Sequence, residues 1–144
     1  MPARQATVVQ NGRRKAYRPI PAADRLAAFE AAVAAYGRGD YFEAHELLEP
    51  AWMGTDDLAE RELYQGLIKL AAAFVHGVRG NPRGVAKNLD GAQARLTAAL
   101  AADAPAGGID LAALITDVDE RLAALAADPD DRTTTAPILR RPPQ

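Results

Sequence analysis

The sequence predicts an all-α fold, a single-domain bundle of about five helices with the third, near residues 57–79, at its centre. Three observations carry this. A chain of 144 residues is long enough to bury one core. Hydrophobic residues make up 49% and charged residues 25%, with abundant Ala and only 6% aromatics, a balance that favours helix over sheet. Apolar residues also return at intervals of three and four along five stretches, and Gly, Pro and Asn separate those stretches.

Residues 1–20 are expected to form a flexible basic arm, free to lie along the body. They mix polar and small residues without a period, include Asn11-Gly12, and lead into Pro19 and Pro21, with Tyr17 and Ile20 as apolar anchors. The bundle domain follows over 21–128. Leu26, Phe29, Val33 and Tyr36 place a first helix at about 22–36, stopped by Gly37-Arg38-Gly39. Asp40 with Glu43 three residues on reads as a capping box that opens a second helix at Tyr41, and Pro50 predicts a kink or an end near 49. Thr55 or Asp56 is expected to cap the third helix. In that helix apolar residues cover most of the circumference, and Arg61, Gln65, Lys69, His76 and Arg79 form one narrow polar stripe. Gly66 and Gly77 mark close helix contacts. Asn81-Pro82 starts a fourth helix with a buried stripe of Val85, Leu89, Ala92, Leu96 and Leu100, and Asp110 caps a fifth over about 110–127. Pro and Thr predict a loose tail over 129–144.

Composition narrows the function classes. With no Cys, neither a disulfide frame nor a thiolate metal site is available, and cytoplasm is the default location. No run is long and apolar enough for a membrane span, so no membrane association is expected. The body, 21–128, carries nine basic against seventeen acidic residues, which argues against a folded nucleic-acid surface. The Arg13-Arg14-Lys15 cluster reads as a solvated tail. Without Cys or Ser, nucleophilic triads have little support, and Gly-rich phosphate motifs are absent.

The chemistry concentrates between Tyr41 and Trp52. On a helix, Tyr41, Phe42, His45, Leu48, Glu49 and Trp52 share a stripe of roughly 120°, so His45 and Glu49 fall on the apolar face and need polar partners there. One reading is structural: His45 and Glu49 form a buried pair, with Arg61 and Gln65 closing a network between the second and third helices. The other is catalytic. His-Glu-x-x-Glu differs in its last position from the zinc motif His-Glu-x-x-His, so His45, Glu46 and Glu49, with His76 or Glu62 as a further donor, are candidate metal ligands. Trp52 and Tyr41 read first as core.

The runs YFEAHELLEPAW and RELYQGLIKLAAAFVHGVRGNPRGVAKNL resemble the domain of unknown function 309 family, small all-helical proteins of bacteria and archaea. The shared features are His45, Glu46, Glu49 and Trp52, then Arg61, Gln65, Gly66, Leu67 and Ile68, then His76, Gly80 and Asn81. Lys69 stands where a second Gln is expected, and Pro50 where a polar helix former is more usual. The resemblance implies a helical fold and a shared polar cluster of His45, Glu46, Glu49, Trp52, Arg61, Gln65 and His76, and it implies no activity. Two function classes follow. One is a binding or interaction module for a small ligand or a protein partner, with no cofactor called for. The alternative is a metal-assisted hydrolase using His45, Glu46, Glu49 and His76.

Overall fold

The computed structural model describes residues 6–141, so residues 1–5 of the expected arm and 142–144 of the expected tail lie outside it. Five helices form the body: α1 (Ala22–Gly37), α2 (Tyr41–Met53), α3 (Leu58–Val78), α4 (Pro82–Ala101) and α5 (Leu111–Ala127). They are preceded by a two-stranded antiparallel sheet, β1 (Ala6–Gln10) and β2 (Arg13–Tyr17). The helical bundle is as expected, and the small sheet is an addition to it. No helix among the described residues is long and apolar enough to cross a membrane.

The central position of α3 follows from its nearly all-round apolar surface. It packs against α2 and α4, while α1 lies on α2 and α5 on α4. Leu63, Leu67, Leu70 and Phe74 of α3 join Phe29, Leu48, Leu89, Leu96, Leu114 and Val118 in one core. Gly66 lets α4 approach, since a Cβ there would meet Leu96 side-chain carbons at 2.8 Å. At Gly77 the nearest atoms to such a Cβ are Phe74 at 3.4 Å and Val85 at 3.7 Å, ordinary or nearly ordinary contact, so the close approach expected there is not needed. Tyr41 bridges helices through its ring, 5.3 Å from Tyr36 and 5.8 Å from Phe74.

Local signals place most helix ends. Asn81 caps α4 by accepting from the Gly84 amide ahead of Pro82, and Asp110 caps α5 through the Ala113 amide. Three local expectations are corrected. Asp40 makes no side-chain capping bond, and Glu43 turns instead to Arg38 at 3.5 Å, so the capping box does not form. The cap of α3 is Asp57, which accepts from the Ala59 and Glu60 amides, while Thr55 accepts from the Asp57 amide one turn earlier. And of the kink or end expected near 49, the end does not occur, since α2 runs through Pro50 to Met53. The proline forfeits one bond to the Glu46 carbonyl, but it is exposed, and Ala51 beside it is fully buried, so packing holds the last turn helical.

The carbonyls at the end of α2 explain where the arm goes. A helix end leaves its last carbonyls without intrahelical donors. Here Met53 accepts from the Arg18 amide at 2.8 Å, Gly54 accepts from the Ile20 amide at 3.2 Å, and Trp52 accepts from the Arg61 side chain. The segment expected as a flexible arm therefore docks on α2, and its first part is a hairpin. Asn11 and Gly12 both take left-handed φ, 54° and 75°, as a two-residue hairpin turn requires. The segment expected as a loose tail also lies on the body. Tyr36 donates to the Pro137 carbonyl at 2.6 Å, the Asp110 amide donates to the Arg140 carbonyl, and Arg141 grips Glu30 through both terminal nitrogens.

Candidate functional site

The polar residues singled out from sequence separate into two groups. The first surrounds Arg61, which is fully buried on α3. Its Nη1 donates to the carbonyls of Trp52 and Thr55, both at 3.0 Å, and its Nε donates to Gln10 Oε1 at 3.1 Å. The guanidinium lies over the Trp52 ring, 5.2 Å from its centroid. Among the described residues it has no salt bridge to a carboxylate, and burial lowers its pKa from the ordinary arginine value. The expected pair between Arg61 and Glu49 does not occur. The carbonyls of Trp52, in the last turn of α2, and of Thr55, in the loop after it, take its place as fixed acceptors.

Gln10, at the tip of β1, completes this group. Its Nε2 donates to Gln65 at 2.8 Å and to Glu62 at 3.1 Å, and its Oε1 accepts from Trp52 Nε1 at 3.0 Å as well as from Arg61. Glu62 Oε1 also accepts from Asn11 and from Arg95, and Arg95 Nη1 stands 3.1 Å from Glu62 Oε2. Gln10, Asn11 and Arg95 were not foreseen, and Glu62 was foreseen only as a spare acid. The Asn-Gly dipeptide was the available signal: flanked by VVQ and RRK it marks a hairpin, and a hairpin turns alternate side chains to one face.

The second group lies on α2. His45, Glu46 and Glu49 each offer one donor atom, and the three atoms lie within 4.8 Å of one another. His45 and Glu49 are half-buried and Glu46 is exposed. His45 Nδ1 stands 3.5 Å from Glu46 Oε1, and the ring leans on Phe42 at 6.1 Å. Glu49 has neither a hydrogen bond nor a salt bridge among the described residues. His76 belongs to neither group. It meets Asn81 Nδ2 at 3.2 Å beyond the end of α3, where helix geometry carries it about 22 Å along the axis from Arg61.

A third polar cluster links α1 to α3. Glu60 accepts from Arg25 at 2.8 Å and from Tyr64 at 2.9 Å, beside an open cleft of about 240 Å³ walled by Leu26, Phe29 and Leu63. Burial first, and the bond to Glu60 second, raise the Tyr64 pKa above the ordinary range.

Residues 29–88 match the model of a family described as Domain of unknown function (DUF309). That span runs from within α1 into α4 and contains all of α2 and α3, hence both polar groups except Gln10, Asn11 and Arg95. Comparison with curated proteins and with solved structures returned no match.

Proposed function

We propose that this domain is a binding module that takes a divalent cation on α2 through His45, Glu46 and Glu49. One observation carries the reading: three donor atoms of metal-ligand type lie within 4.8 Å of one another on a half-open helix face. Bonds of 2.0–2.1 Å at tetrahedral angles set ligand atoms roughly 3.4 Å apart, and the His45–Glu46 separation of 3.5 Å is already close to that edge. Rotation of the Glu49 carboxylate supplies the rest. The exposed side of the group leaves room for water or a partner's donor atom as the fourth ligand. An imidazole with two carboxylates suits zinc and its transition-metal neighbours better than magnesium, which prefers all-oxygen sites.

The hydrolytic alternative needs a base beyond the ligands. Glu46 serves as a donor in this group, and His76 is engaged elsewhere with Asn81. Binding is therefore the reading adopted. Thermal unfolding with Zn²⁺, Mn²⁺ and Mg²⁺ tests it. Zinc at a hundred times its dissociation constant should stabilise the chain by about 2.7 kcal/mol. His45→Ala and Glu49→Gln should each abolish most of that, and His76→Ala should leave it intact. Equal stabilisation of wild type and His45→Ala would sink the reading.

A further inference from the structure

We propose that Trp52, Arg61, Glu62 and Gln65 form a binding site for a primary carboxamide, and that Gln10 is its resident occupant from within the chain. This is independent of the cation site. A primary amide has two N–H donors and an oxygen with two lone pairs. In Gln10 all four are used: the donors by Glu62 and Gln65, the lone pairs by Trp52 Nε1 and Arg61 Nε. The electrostatics select the same group. The amide oxygen faces the Arg61 guanidinium and the amide nitrogen faces the Glu62 carboxylate, so the dipole of the amide lies along the local field. A carboxylate in its place would meet Glu62, and an ammonium would meet Arg61. Neither conflict arises for a neutral amide.

Two further features separate a site from a mere crosslink. Arg61 Nη2 is buried without a hydrogen-bond partner, so the nest holds two N–H donors that Gln10 does not use. And the occupant arrives on an appendage. Gln10 is the one buried residue of the hairpin, whose other residues are exposed or half-exposed, Val9 at 56%. Withdrawing the hairpin would uncover little apolar surface, so its seat rests mainly on the Gln10 amide, the Asn11 bond to Glu62 and the two backbone bonds from Arg18 and Ile20. The four nest residues lie inside the matched span 29–88, and Gln10 lies outside it. The ligand class is a primary carboxamide, carried either by a small molecule or by a Gln side chain on an extended peptide.

Trp52 is the only tryptophan and stands in the nest, so its fluorescence reports occupancy. The full-length Gln10→Ala variant is titrated with propionamide, with N,N-dimethylpropionamide and with a peptide of residues 6–17. Saturable binding of propionamide, with the dimethyl amide weaker by roughly tenfold or more for its two missing donors, is the expected result. Wild type should not respond to propionamide over the same range, because its tethered occupant competes at high effective concentration. The peptide identifies the source: binding tighter than propionamide, and lost in the same peptide carrying Gln10→Met, points to a peptide partner, and equal binding points to a small amide. If Gln10→Ala does not fold, it is refolded in propionamide, and recovery of helical circular dichroism there but not in the dimethyl amide supports the site. No saturable change, an equal response to both amides, or no recovery on refolding overturns it.

Discussion

Replacing Arg61 by Met tests the organisation of the polar core most directly. The side chain donates three bonds, two of them to the carbonyls of Trp52 in the last turn of α2 and of Thr55 in the loop after it, and the third to Gln10. Methionine fills most of the volume but donates nothing. The buried Thr55 carbonyl and the part-buried Trp52 carbonyl then lose their donor at about 1–3 kcal/mol each, while Gln10 Oε1 keeps its bond from Trp52. Against this stands relief from holding a desolvated cation that has no carboxylate partner, a term of several kcal/mol before its hydrogen bonds are counted. The orphaned carbonyls outweigh the relief, because the guanidinium keeps three good bonds and the Trp52 ring face when it is present. A net loss of roughly 2–4 kcal/mol is expected, read by urea denaturation followed by circular dichroism so that Trp52 does not bias the signal. Double mutants locate the partner. Arg61→Met with Gln10→Met should be less destabilised than the sum of the singles by about 1–3 kcal/mol, and Arg61→Met with Glu49→Gln should be additive within about 0.5 kcal/mol. A single-mutant loss under about 1 kcal/mol, or coupling to Glu49 as large as that to Gln10, would refute this account.

Two other outcomes follow from the packing. Gly66→Ala should destabilise by about 1 kcal/mol in chemical denaturation, since overpacking against Leu96 outweighs the gain in helix propensity, whereas Gly77→Ala should be neutral or mildly stabilising; the reverse order would mean that α3 and α4 are not in close contact at Gly66. Tyr36 has its pKa raised by burial first and by Tyr41 second, and Tyr64 is raised as well, so both contribute stability that is present below the unfolded tyrosine pKa of about 10 and lost as pH climbs beyond it. Between pH 10 and 11 Tyr36 alone should cost about 1 kcal/mol, and the denaturation midpoint of Tyr36→Phe should fall less steeply over that interval than that of wild type, an identical slope counting against the assignment.

The elements were legible because their causes are local. Periodic apolar residues, the Asn81-Pro82 and Asp110 starts and the Gly-rich stops act within a few residues, and each helix of the structure lies close to its expected place. The failures were also local rules, overridden from outside. Pro50 did not end α2 because buried Ala51 and half-buried Trp52 hold the next turn, and Leu26 stands 56% exposed where the pattern had put it in the core, because α1 turns Phe29 and Tyr36 inward instead. Asn11-Gly12 carried a hairpin signal that the basic, aperiodic surroundings obscured.

The half-buried placement of His45 and Glu49 on the face of α2 could be read from spacing, whereas Arg61 read as part of a polar stripe and its full burial could not. Which partners they take is another matter. Gln10 and Arg61 are 51 residues apart, Gln10 and Gln65 are 55 apart, and Arg95 reaches Glu62 across 33. Side-chain periodicity states which way a residue points from its own helix and says nothing of what waits opposite. That depends on how α2, α3 and α4 settle against one another and on where the hairpin docks, and those are set by the summed packing of the core and by the unpaired carbonyls at the end of α2. The sequence by itself therefore determined five helices, a central third one and a set of polar residues that must be satisfied. Tertiary structure alone decided that Arg61 would answer to backbone carbonyls and to a glutamine from the far end of the chain, leaving His45, Glu46 and Glu49 together on the open face of α2.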